Sequence, residues 1–324
     1  MQAVNAYLAA TPWRHWHLEK ASADASFRRY FRLTHDEKSV ILMDASLEKA
    51  SLKPFMDVTT RLHRVGVHAP RILDHSLAGG FLVLEDFGST HYLNVLDTHN
   101  YHALYTQAIR EIVAMQRADV TGLPLYDNTF LLAEMQLMPE WFLDRYLHVN
   151  LDVSTTQILQ QSLRDIADEV LAQPQGFFVH RDFHSRNLML PPEGGIGIID
   201  YQDAMSGALT YDLVSLLKDC YIAFEPRDIQ RLALVFRDLT GLNVPDARFL
   251  RWFDFMSMQR HLKVLGIFCR LHLRDGKNGY LKDLPLTLEY LRRDTQKYEK
   301  TKKLATLLEK ITLPNITKEL HEMG

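Results

Sequence analysis

The feature that most constrains how this chain can fold is a change of texture near residue 100. Before it the sequence favours strands. SFRRYFRL alternates apolar and charged residues, SVILM is a short apolar run, and GFLVLEDFG is another bounded by glycines. Between the last two, LKPFMDVTTRLHRVGV places Phe55, Val58 and Leu62 at helical spacing, with Gly66 where a C-cap belongs. The predicted order of strand, strand, strand, helix, strand, strand describes a small sheet domain ending near Phe87. After Tyr101 the segments YHALYTQAIREIVAMQRA, TTQILQQSLRDIADEVLAQ and RDIQRLALVFRDLTG are long and amphipathic, so the remainder is predicted to be mainly helical.

Composition narrows the function classes. A chain of 324 residues that is 47% hydrophobic can bury one large core or two modest ones. A formal charge of -3 gives no global basic field of the kind that draws nucleic acid or an anionic membrane. Cys220 and Cys269 are the only cysteines, which argues against a disulfide framework or a cysteine-rich metal site and fits a reducing compartment. The start MQAVNAYLAATPWRHWHLEK lacks the charged-then-apolar pattern of a signal peptide, and no window approaches ~18 uncharged apolar residues. A cytoplasmic protein is expected, with no nucleic-acid and no membrane partner. The basic tail KYEKTKKLATLLEK reads as a solvated helix face.

Within the helical part, three short apolar runs, FFV, NLML and GIGIID, interrupt the helical pattern between Gly176 and Tyr201. They frame HRDFHSRNLMLPPEGGIGIID, from His180 to Asp200. Asp182 and Asn187 stand at the H-R-D-x-x-x-x-N spacing of phosphoryl-transfer loops, and Asp200 follows after a predicted hairpin. That pattern implies a magnesium–ATP site.

Taken together, these segments resemble the protein-kinase-like fold: α+β and bilobal, with a small antiparallel-sheet N-lobe over residues 1–87 for the nucleotide and a larger, mainly helical C-lobe over residues 88–324 for catalysis and substrate. HRDFHSRNLM and IIDYQDAMSGALTYDLVSLLKDCY resemble the aminoglycoside phosphotransferase and choline kinase branch, whose metal motif reads I-D-x-x-D. SADASFRRYFR, ILMDAS, GFLVLEDFG, WFLDRYL and QRHLKVLGIFCRLHLRDGKNGYLKDLP narrow this to a likeness with the anomeric N-acetylmuramate/N-acetylglucosamine kinases of bacterial cell-wall recycling.

The resemblance implies ATP and Mg2+ as cofactors and assigns roles. Asp182 would orient the sugar hydroxyl and take its proton, and Asn187 and Asp200 would supply oxygens to magnesium. Asp203 either reaches the ion through water or caps the following turn. Asp212 resembles the family aspartate that braces the catalytic loop, with a plain helix N-cap as the alternative. His180 would fix the loop by hydrogen bonds, while Arg186 faces either phosphate or solvent. In place of a glycine-rich loop, SADASF offers backbone amides near Ser26 and Phe27. Met43 stands where kinases carry a phosphate-binding lysine, which leaves Arg28 or Arg32 to contribute the cation. Adenine would bond the Glu85 carbonyl and the Phe87 amide.

Acceptor choice falls to the helical part. At 100° per residue, Arg260, Lys263, Arg270 and Arg274 lie within about 80° of one another on a predicted helix, opposite Met258, Leu262, Leu265 and Cys269. Such a stripe is either a solvated basic face or a grip on an anionic group such as the lactyl carboxylate of N-acetylmuramate. Glu134 for a sugar hydroxyl and Trp141 for stacking on a sugar ring are further candidates, beside ordinary structural roles. The expected product hand-off is to a nucleotidyltransferase without a stable complex. Two other readings stand: a small-molecule kinase with an aminoglycoside, choline-like or homoserine acceptor, and a nucleotide-binding pseudokinase.

Overall fold

A computed structural model describes residues 1–22 and 28–311. These divide into two compact units: Met1–Leu96 with Arg117–Asp119 and His180–Ala204, and Asp97–Gln116 with Val120–Val179 and the chain from Met205 onward.

The first unit is built on five antiparallel strands, β1 (His17–Ser22), β2 (Arg29–His35), β3 (Lys38–Asp44), β4 (Ile72–Ser76) and β5 (Phe81–Glu85), paired in the order β1-β2-β3-β5-β4. The β2–β3 hairpin closes at the His35–Lys38 pair, and Asp36 takes the left-handed turn conformation at φ 53°, which a short polar side chain tolerates. Strand alternation collects Phe31, Leu33, Val40, Leu42, Phe81 and Val83 in one core cluster. Val4 and Leu8 of α1 (Gln2–Ala9) complete that cluster, and Tyr7 stacks on Phe81 with ring centroids 4.8 Å apart. This helix was not foreseen, because an eight-residue segment holding only two core positions is too short to declare a period. The opposite sheet face carries the cross-strand row Arg32, Ile41 and Leu84, followed by Tyr30, Met43 and Leu82.

The predicted helix is α2 (Leu52–Arg64), which buries Phe55, Val58 and Leu62. It ends in a Schellman cap: the Val67 amide donates to the Leu62 carbonyl and the Gly66 amide to that of His63, both at 3.1 Å. Residues 188–189 and 197–198 form the expected hairpin, and a four-residue helix, α3 (Tyr92–Val95), follows the sheet.

The second unit is helical: α4 (Tyr101–Met115), α5 (Asn128–Met135), a π-helical segment (Met138–Tyr146), α6 (Val153–Leu171), α7 (Tyr211–Leu217), α8 (Pro226–Leu239), α9 (Asp246–Asp275) and α10 (Leu284–Gln296). The three amphipathic stretches expected to be helical correspond to α4, α6 and α8. Asp127 and Asp152 cap α5 and α6, accepting the Phe130 and Thr155 amides at 2.9 and 2.7 Å. Residues Trp252 to Gly266 of α9 are buried throughout, so neighbours surround this helix on every side. In the tail, residues 302–311 are helical, with Lys302, Lys303 and Lys310 exposed while Leu304, Leu307 and Leu308 are buried. The face expected to be solvated therefore has a core-facing counterpart. No helix among the described residues is long and apolar enough to cross a membrane.

Candidate active site

The segment from His180 to Asp200 is shaped by hydrogen bonds that its own sequence supplies. The fully buried His180 ring donates from Nε2 to the Ile199 carbonyl at 3.0 Å and accepts the Asp182 amide at Nδ1 at 3.2 Å. That pair of bonds requires a ring protonated at Nε2 and bare at Nδ1. Asn187 donates its side-chain Nδ2 to the Asp182 carbonyl at 2.9 Å, which leaves its side-chain oxygen for another partner. The Ile199 amide bonds the Asn187 carbonyl at 3.1 Å, so the residue preceding Asp200 is laced to Asn187 across the hairpin. Arg181 and Asp200 both hold positive φ, 80° and 65°. The short polar side chain of Asp200 tolerates this region, whereas for Arg181 the strain is on the order of 1–3 kcal/mol and persists only where surroundings over-determine it.

Asp182 and Asn187 are half-buried, whereas Asp200 and Asp203 are exposed. Gln202 joins the last two. Its side-chain nitrogen donates to Asp200 Oδ1 at 2.9 Å and to Asp203 Oδ2 at 3.2 Å, and its side-chain oxygen is buried without a partner among the described residues. Magnesium characteristically takes one or two carboxylate or amide oxygens and completes its shell with waters and phosphate oxygens. The Asn187 side-chain oxygen and the exposed Asp200 carboxylate fit that habit. Among the described residues no group of three or more His, Cys, Asp or Glu is placed to hold a metal.

The same segment is stitched to the sheet and the connector that follows it. His91 Nδ1 donates to the Arg186 carbonyl at 2.7 Å, the Leu190 amide to that of Thr90 at 2.9 Å, and the Ile198 amide to that of His68 at 2.9 Å. Gly197 is needed here, because a Cβ at that position would lie 2.3 Å from the Phe87 ring. Tyr201 meets α2 through the Phe55 ring at 5.0 Å and the Thr59 hydroxyl at 2.8 Å.

In the connector, burial would raise the Glu85 carboxyl, but the Arg71 amide and guanidinium and His68 outweigh it and hold the group below its ordinary range. The Phe87 amide has no hydrogen-bond partner among the described residues. Arg32 gives Asp86 two bonds, at 2.6 and 3.0 Å, and the Gly88 carbonyl a third at 2.8 Å. Arg28 is half-buried, and Met43 is wholly buried in β3. Ser26 and Phe27 lie outside the described residues.

In the second unit, the helix stripe divides. Arg260 and Lys263 are each 4% exposed, Arg270 is half-buried, and Arg274 is exposed beside Asp275, so the solvated-face reading fails for the first two. Lys263 Nζ lies 3.0 Å from Glu134 Oε1 and donates to the Tyr211 hydroxyl at 3.1 Å. Glu134 also accepts the Tyr126 hydroxyl and the Gln259 amide, the latter at 3.3 Å. Burial first, then the electrostatic influence of the neighbouring Tyr211 and Glu134, pushes the Tyr126 hydroxyl well above its ordinary range. Arg260 reaches the same Tyr211 hydroxyl at 3.4 Å. Trp141, on the π-helical segment, carries Arg145 stacked 4.0 Å over its ring. Asp212 is buried in the first turn of α7.

Sequence reasoning did not single out Gln202, Asp86, Gln259, Tyr126 or Tyr211. The glutamine between two aspartates in DYQD was the one local signal; the others act through contacts between residues far apart in the chain.

Comparison with known proteins identifies the family of the chain. Residues 17–253 match the model of a phosphotransferase enzyme family. An N-acetylmuramate/N-acetylglucosamine kinase of Neisseria meningitidis is 42% identical over 308 residues, covering 92% of this chain and 91% of that protein. Its Pseudomonas aeruginosa counterpart is 43% identical over 277 residues, covering 84% and 81%. The crystal structure of a choline/ethanolamine kinase family protein from Mesorhizobium loti superposes with a TM-score of 0.63 at 13% identity, covering 94% of this chain and 97% of that one, a likeness of fold. The chain belongs to the phosphotransferase enzyme family and is an ATP-dependent phosphotransferase of protein-kinase-like α+β fold.

Proposed function

We propose that the protein transfers the ATP γ-phosphate to the anomeric hydroxyl of N-acetylmuramate and N-acetylglucosamine in peptidoglycan recycling. The observation that carries this reading is the 42–43% identity, over most of the chain, to relatives named N-acetylmuramate/N-acetylglucosamine kinases, joined to the Asp182, Asn187 and Asp200 motif. In-line transfer needs an oriented hydroxyl and neutralised phosphate charge, so positioning and electrostatics supply most of the rate. Asp182 orients the hydroxyl and accepts its proton. Asn187 and Asp200 hold Mg2+, which when bound neutralises charge on the phosphates. Glu85 and Phe87 receive the base through their backbone, and Ser26, Phe27 and Arg28 serve the phosphates.

Residues 1–87 serve as the nucleotide lobe and residues 88–324 as the catalytic and acceptor lobe. Arg260, Lys263, Glu134 and Trp141 form the acceptor wall in this reading. Its support is the burial of three of them in one compensated polar cluster, where an anionic sugar would meet fixed donors. The enzyme works in the cytoplasm, and its sugar phosphate passes to a nucleotidyltransferase without a stable complex. Steady-state assays with ATP and a panel of acceptors test the proposal. Turnover with the two amino sugars should exceed that with aminoglycosides, choline or homoserine by orders of magnitude, and a preference for any of the latter would overturn it.

A further inference from the structure

Arg32 occupies an unusual position for a cation expected to meet phosphate. Along β3 its register partner is Ile41, two residues from Met43, so Arg32 lies about 6–7 Å along the strand from the position of the missing lysine. The displacement is toward the connector: Val40 pairs with Glu85 and Ile41 with Leu84, whereas Met43 pairs with Leu82, farther from the strand end. Its hydrogen-bonding is committed there as well. Nε and one terminal nitrogen grip both oxygens of Asp86, whose side chain is 2% exposed, and the same terminal nitrogen bonds the Gly88 carbonyl. Asp86 in turn accepts the Gly88 amide at 2.9 Å. The guanidinium is thereby fixed as a plane beside the connector, with 23% of the side chain exposed.

Asp86 and Gly88 flank Phe87, whose amide has no partner among the described residues. Any ring that bonds this amide therefore arrives beside a guanidinium already held by the two neighbouring residues. Ile41 and Leu84 extend the same sheet face as an apolar strip, and Ile41 is only half-buried. A flat cation next to an apolar strip and an amide without a partner among the described residues is an arrangement suited to a planar heteroaromatic ring, not to a triphosphate.

We propose that Arg32 recognises the nucleotide base, stacking against or edging the ring bound at Phe87, and that Asp86 is the positioning residue that holds its plane. The inference rests on the ATP-dependent reading of this site. It moves Arg32 from the phosphate end of the nucleotide to the base end, and it explains why a carboxylate is buried within the connector.

Calorimetry on the full chain with three probes, Mg-ATP, adenosine and Mg-tripolyphosphate, separates the roles. In Arg32→Ala the affinities for adenosine and for ATP should fall by a common factor, on the order of 3- to 30-fold, from the free energy of a cation over a ring. Tripolyphosphate affinity should stay within about twofold of wild type, since no phosphate contact is lost. Arg32→Lys should lose as much adenosine affinity as Arg32→Ala, because an ammonium cannot grip Asp86 and Gly88 at once while presenting a plane. The pair Arg32→Leu, Asp86→Asn removes both charges together and should show the same adenosine loss in a chain left with no unpaired buried carboxylate. Unchanged adenosine affinity in these variants, or a loss confined to tripolyphosphate and ATP, would overturn the proposal. Wild-type protein that binds none of the three probes would instead overturn the ATP-dependent reading on which it stands.

Discussion

At the residue scale, the chemistry rests on side chains whose freedom has been removed. Asp182 sits in a loop whose amide is held by His180 and whose carbonyl is held by Asn187. Asp182→Asn keeps the shape and loses the proton acceptor, so kcat should drop ~10²- to 10⁴-fold with little change in ATP affinity. Stopped assays beside a nucleotide titration would show this split; wild-type turnover would remove Asp182 from the mechanism. Gln202 offers a subtler case. Gln202→Leu releases both aspartates, and the Mg2+ concentration for half-maximal activity should rise several-fold while the thermal midpoint holds within a few degrees. An unchanged Mg2+ dependence would mean that the bridge to Asp200 and Asp203 has no bearing on the ion.

At the element scale, the hairpin below the connector and the charge network around α9 set what the molecule tolerates. Gly197→Val drives a branched side chain into the Phe87 ring, and the strain should cost about 1–3 kcal/mol in urea unfolding, with no loss expected from the same change at exposed Gly194 beyond its turn strain. Between α7, α9 and α10, Lys218 reaches Asp254 at 2.9 Å and Asp294 at 2.5 Å, and Lys297 bonds the same two aspartates at 2.9 and 2.8 Å. Burial alone would raise the Asp294 carboxyl, but the two ammonium groups outweigh it and hold it below its ordinary value.

Beside this network, burial first and the Lys218 charge second press the His261 imidazole from 6.5 down to about 3. The unfolded chain takes a proton near 6.5 that the folded chain refuses until about 3, so stability is complete above the upper value and falls as pH drops between them. Each pH unit in that window removes about 1.4 kcal/mol through this one group. Denaturation midpoints at pH 7, 6 and 5 check it: the acid slope in His261→Gln should be shallower by about one proton, and an identical slope would contradict the assignment.

At the scale of the whole molecule, much was legible in the sequence and the reasons are physical. The succession of strands along the chain could be read because β2, β3 and β5 bury one face and so alternate or run apolar between turns. The catalytic loop could be read because its spacing is local, within eight residues of one another from His180 to Asn187. What escaped was set by tertiary contacts. Arg260 and Lys263 lie on a basic stripe that looks solvated, yet Glu134 and Tyr211 come from other elements to meet them in the interior. Arg32 reads as a free strand cation until Asp86, far along the chain, meets it. Period and composition record which face is apolar, but they do not record which buried charge will find a partner.

The assigned reaction is defined by which hydroxyl receives the phosphate. Phosphorus NMR of the product formed from ATP and N-acetylglucosamine reads this directly. Transfer to the anomeric hydroxyl gives a phosphomonoester resonance split by coupling to the anomeric proton and lost when Asp182 is replaced by asparagine. A phosphate coupled to any other ring proton, or no sugar ester at all under conditions where ATP is bound, would contradict it.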